Sequence, residues 1–150
     1  MTTYQMKESD GAGLTTSKVK SVTNGASTLS YTYDVAGNIL TVSENGVLKI
    51  TYTYDLRNQL KEETNHYIGK NISYQYDVGG NLLKKTSSPL SDPTASTFIN
   101  YEYDTVWKDK LVKYNGQAIT YDANGNPLTY YNGMTLHWDK GRELGSVTIG

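Results

Sequence analysis

The sequence contains no cysteine, three prolines and a single phenylalanine, and these shortages limit what the chain can be. Without cysteine, neither a disulfide scaffold nor a thiolate metal site is available. No run of about 18 apolar residues occurs, so no segment is predicted to span a bilayer. The formal net charge is −1. We therefore expect no nucleic-acid partner, because a large basic field is missing.

Tyrosine and glycine dominate instead, with 14 residues of each. Such a composition suits short strands joined by tight turns better than a helical bundle. The phrase Tyr-x-Tyr-Asp begins at Tyr31 and recurs, with looser copies at the end. The six aspartates lie 21, 22, 27, 18 and 17 residues apart, and a period near twenty indicates a repeat array whose insertions sit in loops.

Apolar residues alternate with polar ones inside each phrase, as in Ile50-Thr51-Tyr52-Thr53-Tyr54. Period two predicts a strand with one packed face and one solvated face. Both tyrosines of a phrase should lie on the packed face, where they can stack on aromatic residues of adjoining strands. The structural repeat positions are Tyr31, Tyr33, Asp34, Gly37, Tyr52, Tyr54, Asp55, Tyr74, Tyr76, Asp77, Gly80, Tyr101, Tyr103, Asp104, Tyr121, Asp122, Gly125, Trp138 and Asp139.

Two kinds of turn join the predicted strands. Glycine and asparagine follow most of the aspartates, and an aspartate at the start of a turn can accept hydrogen bonds from the N–H groups ahead of it. Asn-Gly pairs, which are strong hairpin signals, make the second kind at Asn24-Gly25, Asn45-Gly46, Asn115-Gly116 and Asn132-Gly133. The sequence therefore predicts an all-β fold of tandem antiparallel β-hairpins.

The array is predicted to cover residues 14–150, with about six hairpins and a loop insertion near 87–96. Residues 1–13 are interpreted as a degenerate or frayed segment. The N-terminal residues show no secretory signal. Because the repeat still continues at Gly150, we expect the chain to be part of a larger protein. A cut array exposes strand edges, so edge-mediated self-association is also expected.

No catalytic residue, metal ligand or cofactor site is predicted, and we expect the chain not to be an enzyme. Aspartates that precede turns usually cap the backbone of the turn. Aspartates at equivalent positions of a repeat are spaced along the sheet, so they do not come together in one catalytic site. Asp122 to Asn126 faintly resembles a calcium loop, but the bidentate acid that such loops need is missing. The two histidines, His66 and His137, have no partner at metal-ligand spacing.

The tyrosines leave a second function open. Exposed aromatic ladders on β-repeats can stack on sugar rings, so a carbohydrate-binding or cell-surface-binding module is the alternative to a purely structural role. The two hypotheses differ in the state of the rings. A structural array needs them packed, whereas a glycan-binding module needs several of them exposed.

The pattern Tyr-x-Tyr-Asp-x-x-Gly, as in Tyr31 to Gly37, resembles the YD repeats of the Rhs family. That family includes bacterial wall-associated proteins, insecticidal toxin complexes and teneurins. The resemblance covers nearly everything from Leu14 to Gly150. It implies a curved, spiralling sheet that forms part of a β-shell, which encloses a C-terminal toxin or effector in a secreted or cell-surface protein. The implied partners are the remaining repeats and that effector.

Several residues depart from the family pattern. Asparagine replaces the usual arginine after the turn glycine at Asn38, Asn81 and Asn126. The turn after Asp55 has no glycine, and Trp138 stands where the second tyrosine is usual. The single Asp-Pro pair, Asp92-Pro93, lacks the glycine-containing motif of the family's cleavage site, so self-cleavage is not implied.

Overall fold

The structure, a computed structural model, describes residues 2–8 and 15–150, and in these ranges every regular element is a β-strand. This confirms the predicted all-β class and its antiparallel hairpins. The strands are β1 (Thr2–Glu8), β2 (Thr15–Asn24), β3 (Ser27–Tyr33), β4 (Ile39–Glu44), β5 (Val47–Tyr54), β6 (Leu60–Asn65), β7 (Lys70–Tyr76), β8 (Leu82–Pro89), β9 (Thr97–Tyr103), β10 (Leu111–Tyr114), β11 (Gln117–Ala118), β12 (Thr135–Asp139) and β13 (Glu143–Thr148).

The chain divides into two compact units. The first comprises Met1–Tyr74 and Ser87–Ser96, and in it the strands from β1 to β7 pair antiparallel with their neighbours in chain order. From β2 to β7, turns link the successive strands, which makes this part of the unit an up-and-down meander. Asn45 and Gly46 have φ of 49° and 81° in the turn between β4 and β5, the left-handed backbone that Asn-Gly pairs favour.

The second unit comprises Gln75–Thr86 and Thr97–Gly150. In it, β9 pairs with β10 and β10 with β11, while β12 and β13 form a separate two-stranded sheet. The segment between β11 and β12 makes only isolated bridges, from Tyr121 to Pro127 and from Thr129 to Thr135. The strand expected around Tyr121 is therefore reduced to a single bridge.

The alternation of the phrases appears directly in solvent exposure. Tyr31 and Tyr33 are half-buried on β3, and Thr32 between them is exposed. The same order of half-buried, exposed and half-buried residues holds in the phrases of β5, β7 and β9. Each tyrosine pair therefore lies on one face of its strand, as period two requires.

A β-bulge recurs beside the second aromatic residue of the phrase. In the β3–β4 pair, Thr32 lies opposite Thr41 and Tyr33 opposite Ile39, so Leu40 is an extra residue on the exit strand. The same shift places an extra residue at Lys61, Val112 and Gly145 in the later hairpins. Bulges bend a strand and increase its local twist. Each of these four hairpins is therefore bent at the same point of the repeat.

The hydrophobic core of the described residues is thin. Only Val42, Ile72 and Ile119 are buried hydrophobic residues there, and no side chain is less than 2% exposed. Half-buried aromatic rings lie on the sheet face and add further apolar contact area. Stability therefore has to come from many partly covered rings and from hydrogen bonds rather than from a deep core.

The domain predictions fall partly on residues 1 and 9–14, which lie outside the described residues. Within the predicted frayed segment, Thr2–Glu8 form β1 and pair with β2. Strand β8 continues to Pro89, so the irregular loop before β9 starts at Leu90 rather than near 87. The backbone N–H of Leu90 donates to the carbonyl of Gly69 at 2.8 Å and closes this end of the β7–β8 hairpin.

Candidate functional site

The aspartate of the phrase organises the turn that follows it. The Asp34 carboxylate accepts hydrogen bonds at Oδ1 from the backbone N–H groups of Gly37 and Asn38, at 2.7 and 2.8 Å. Its Oδ2 accepts from Asn38 Nδ2 at 2.9 Å. The backbone N–H of Asp34 in turn donates to the carbonyl of Asn38 at 2.9 Å. One carboxylate thereby accepts from three donors of the same bend.

The same arrangement returns at two later phrases. Asp77 Oδ1 accepts from the N–H groups of Gly79 and Asn81, and its Oδ2 accepts from Asn81 Nδ2. Asp122 makes the equivalent bonds with the N–H groups of Asn124 and Asn126 and with Asn126 Nδ2. The asparagine side chain is the leading cause that lowers the pKa of Asp34, Asp77 and Asp122, because these bonds favour the charged carboxylate.

The aspartates of the other three phrases have different hydrogen-bond partners. Asp55 Oδ1 accepts from the N–H groups of Arg57 and Gln59, and Asn58 takes the left-handed backbone, with φ of 61°, that glycine adopts elsewhere. Asp104 accepts from the N–H groups of Val106 and Trp107, which lower the pKa of its carboxyl group. Asp139 instead lies 3.3 Å from His137 Nε2, on the exposed face of β12.

The second aromatic residue binds the backbone of the preceding hairpin through its polar atom in the phrases of β3, β5, β9 and β12 and in the phrase of Tyr121. The Tyr33 hydroxyl donates to the Val19 carbonyl at 2.6 Å, and the Tyr54 hydroxyl donates to the Ile39 carbonyl at 2.9 Å. Three more pairs follow the rule: Tyr103 with Leu82, Tyr121 with Leu111, and Trp138 Nε1 with Pro127, at 3.1, 2.6 and 2.6 Å. Trp138 therefore retains the donor function of the tyrosine that it replaces.

The carbonyls that accept these bonds share one position. Ile39, Leu82 and Pro127 each come directly after the asparagine that closes the preceding turn, and Leu111 comes directly after Lys110, which closes the longer turn. The phrases of Tyr54, Tyr103, Tyr121 and Trp138 are thus fastened to the point where the preceding turn re-enters the sheet. These bonds therefore fix the register between successive hairpins.

The residue just before the accepting carbonyl also reaches the next turn. Asn38 Nδ2 donates to Asn58 Oδ1 at 2.9 Å, in addition to its bond with Asp34. Asn81 Nδ2 donates to the carbonyl of Lys108, and Asn126 Nδ2 to that of Gly141. These are the asparagines that depart from the family pattern, and sequence analysis gave them no role.

Lysine occupies the same position in two other repeats. Lys18 Nζ lies 5.6 Å from the ring centroid of Tyr33, and Lys110 Nζ lies 4.4 Å from that of Tyr121. Both distances are within reach of a cation–π contact. The residue just before the accepting carbonyl is therefore an asparagine in some repeats and a lysine in others. The asparagine contacts the next turn through its amide, and the lysine contacts the next phrase through its ammonium group.

The repeat tyrosines are neither deeply buried nor bare. All nine that we assigned to the phrases are half-buried, and desolvation is the leading cause that raises the pKa of Tyr33, Tyr52, Tyr54, Tyr101, Tyr103 and Tyr121. The ring of Tyr101 meets that of Tyr114 edge to face, with centroids 5.3 Å apart. Among the tyrosines whose exposure the structure describes, Tyr67, Tyr130 and Tyr131 are exposed, and all three lie outside the phrases.

The described residues contain no group of three or more His, Asp or Glu side chains that could hold a metal ion. In the stretch that faintly resembles a calcium loop, both carboxylate oxygens of Asp122 already accept hydrogen bonds from the turn. Within the same described ranges, no helix has the length and apolarity to cross a membrane.

Comparison with solved structures identifies the fold. A TcdB2–TccC3–TEV crystal structure matches with a TM-score of 0.75 and 22% identity over 99% of this chain, which corresponds to 9% of that chain. A pore structure of the Photorhabdus luminescens Tc holotoxin matches with the same TM-score, 20% identity and the same two coverages. The chain shares its fold with these Tc toxin components.

A third Tc structure, TcdB2–TccC3 without its hypervariable C-terminal region, matches with a TM-score of 0.74 and 21% identity. It covers 97% of this chain and 9% of the compared one, so the chain spans about a tenth of the length of these proteins. No protein-family model and no curated protein sequence matches the chain. The resemblance to Rhs/YD repeats is confirmed by this shared fold.

Proposed function

We propose that the chain is a non-catalytic structural segment of a large exported bacterial protein of the Rhs/YD-repeat type. In this role it forms part of the wall of a β-shell that encapsulates a C-terminal toxin or effector. The observation that carries the proposal is the recurring bond from the second aromatic of a phrase to the backbone that leaves the preceding turn. Such a bond attaches a hairpin to the one before it, so successive hairpins can be joined without a deep hydrophobic core.

The chemistry of the phrases supports a scaffold over an active site. The carboxylates of Asp34, Asp77 and Asp122 are each occupied by three donors of their own turn. A carboxylate used in this way has little capacity left for substrate. The proposal of an enclosed C-terminal domain draws on the compared structure of TcdB2–TccC3 without its hypervariable C-terminal region.

The proposal can be tested on the longest open reading frame that contains this chain. We expect electron microscopy of its product to show a hollow particle, and limited proteolysis to leave the segment after the repeats intact. Replacing both Tyr33 and Tyr54 by alanine should make that segment cleavable, because two links between hairpins are removed.

The matched control replaces Thr32 and Thr53, the exposed residues that precede those tyrosines on the same strands, by alanine. This control should retain protection. A solid particle, or a C-terminal segment that is cleaved at one rate in all three proteins, would contradict the encapsulating role.

A further inference from the structure

The turn after Asp104 departs from the others in length and composition. The N–H of Asp104 donates to the carbonyl of Lys110, six residues on, whereas Asp34 and Asn38 are four apart. The longer turn includes Trp107, which is 62% exposed. Its backbone is nevertheless held, because its N–H donates to Asp104 Oδ1 at 2.7 Å and its carbonyl accepts from Lys110 at 2.9 Å. The indole is therefore presented to solvent by an ordered loop.

Trp107 forms one side of an open cleft of about 360 Å³. The cleft is lined by Trp107, Asp109, Lys110, Leu111, Tyr121 and Gly125. Lys110 Nζ lies between two rings, 5.8 Å from the centroid of Trp107 and 4.4 Å from that of Tyr121. The Asp109 carboxylate makes no hydrogen bond or ion pair with any residue in the described ranges. The cleft thus combines an aromatic surface, a fixed ammonium group and a carboxylate with unused acceptors.

We propose that this cleft binds a neutral pyranose ring of a surface glycan. The C–H face of the sugar would lie on the Trp107 indole, its hydroxyls would donate to Asp109, and Lys110 would donate to another hydroxyl. The two opposite charges argue for a neutral ligand, because an anion would meet Asp109 and a cation would meet Lys110. A purely apolar ligand would desolvate both charges without replacing their hydrogen bonds.

In this cleft the sugar would stack on Trp107, which belongs to an elongated turn, rather than on the half-buried repeat tyrosines. One repeat tyrosine, Tyr121, also lines the cleft, and its hydroxyl is bonded to the carbonyl of Leu111. The site does not depend on the encapsulating role, since a wall segment can carry a binding cleft on its surface.

The test uses ¹⁵N-labelled tryptophan in the intact chain, whose two indoles, Trp107 and Trp138, give separate N–H signals in a heteronuclear NMR spectrum. Maltotriose, cellotriose and triacetylchitotriose are added in turn to about 10 mM, which detects dissociation constants in the millimolar range. We expect the Trp107 signal to shift and saturate with at least one sugar. Trp138, bonded to the Pro127 carbonyl, should not shift.

Two variants locate the site. Asp109→Asn should weaken binding about 3- to 10-fold, the value of one hydrogen bond, without affecting the fold. In uniformly ¹⁵N-labelled protein, where the backbone N–H of Gly125 in the cleft reports in place of the missing indole, Trp107→Ala should abolish the sugar-induced shift seen in the wild type while the Trp138 signal stays in place. Phe98→Ala is the matched control, because Phe98 is 53% exposed with Lys84 Nζ 4.5 Å from its ring centroid. That control should bind as the wild type does.

Three results would overturn the proposal. The first is a Trp107 signal that is unmoved by all three sugars. The second is an Asp109→Asn variant that binds as tightly as the wild type. The third is a Trp107 signal that shifts with protein concentration alone, which would assign the cleft to contact with a second copy of the chain.

Discussion

The two tyrosines of a phrase lie on the same face of the strand but make different contacts. In β3, the Tyr33 hydroxyl binds the carbonyl of Val19, whereas Tyr31 contributes ring area without a hydrogen bond to another described residue. Alternation in the sequence predicts which face each ring occupies. It could not predict the acceptors, because a backbone carbonyl is offered equally by valine, isoleucine, leucine or proline.

The contacts of Asn38, Asn81 and Asn126 also could not be predicted from the sequence. These asparagines are visible in the sequence only as departures from a family pattern. Their function emerges from two simultaneous bonds, one to the aspartate of the same turn and one to the next turn. No local spacing rule connects Asn38 with Asn58, which lie 20 residues apart.

At the residue scale, Asp34→Asn should destabilise the protein in a pH-dependent way. The lowered pKa of Asp34 means that its contribution to stability is complete above its unfolded pKa, about 3.9, and is lost as pH falls through the folded pKa. An asparagine at this position would direct its own amide group toward the turn donors or toward Asn38. Urea denaturation at a series of pH values should show a difference from wild type that is largest near neutrality and shrinks in acid.

Glu62→Gln serves as the control for this experiment, because Glu62 is an exposed acid on β6. Its difference from wild type should be small and should not follow the same pH profile. If the Asp34→Asn difference stays constant from neutral pH into strong acid, the carboxylate is not stabilising the turn in its charged form.

At the scale of the element, the hairpin and its bulge are the unit of construction. The Asn-Gly turns and the alternating strands could be predicted, since each is local. The bulge could not, because the extra residues Leu40, Lys61, Val112 and Gly145 have no chemistry in common. The end of β8 was also missed, since Ser87 and Ser88 suggest a loop while the strand continues to Pro89.

The contact between neighbouring turns can be measured by a double-mutant cycle. Asn38→Ala removes the donor, and Asn58→Gly removes the acceptor while keeping the left-handed backbone. We expect a coupling energy of about 0.5–1.5 kcal/mol from unfolding free energies, as for one hydrogen bond between contacting residues.

The control cycle combines Asn38→Ala with Asn45→Gly. Asn45 also has a left-handed backbone, but it lies in a different turn, between β4 and β5, and its Oδ1 accepts from the N–H of Thr28 on β3. That cycle should be additive within about 0.3–0.5 kcal/mol. Equal coupling in both cycles would show that the Asn38–Asn58 bond has no specific role.

At the scale of the whole molecule, stability is spread over many half-buried phenols rather than concentrated in a core. Desolvation raises the pKa of Tyr33, Tyr54, Tyr103 and Tyr121. The stability that these four rings contribute is therefore complete below the ordinary tyrosine pKa of about 10 and is lost as pH rises through their folded pKa values. We expect ultraviolet titration to show these tyrosines ionising above that ordinary pKa, together with unfolding. Ionisation of all 14 tyrosines in one step before any loss of structure would be inconsistent with this account.

The most direct test of the central claim is a comparison of Tyr33→Phe with Tyr31→Phe in urea denaturation. Both changes remove one hydroxyl from the same face of β3, but only the Tyr33 hydroxyl donates to the preceding hairpin. We predict that Tyr33→Phe lowers the unfolding free energy by about 0.5–1.5 kcal/mol. Tyr31→Phe should stay within about 0.5 kcal/mol of wild type. Equal losses in the two variants, or no loss in either, would contradict the claim that these hydroxyls fasten each hairpin to the one before it.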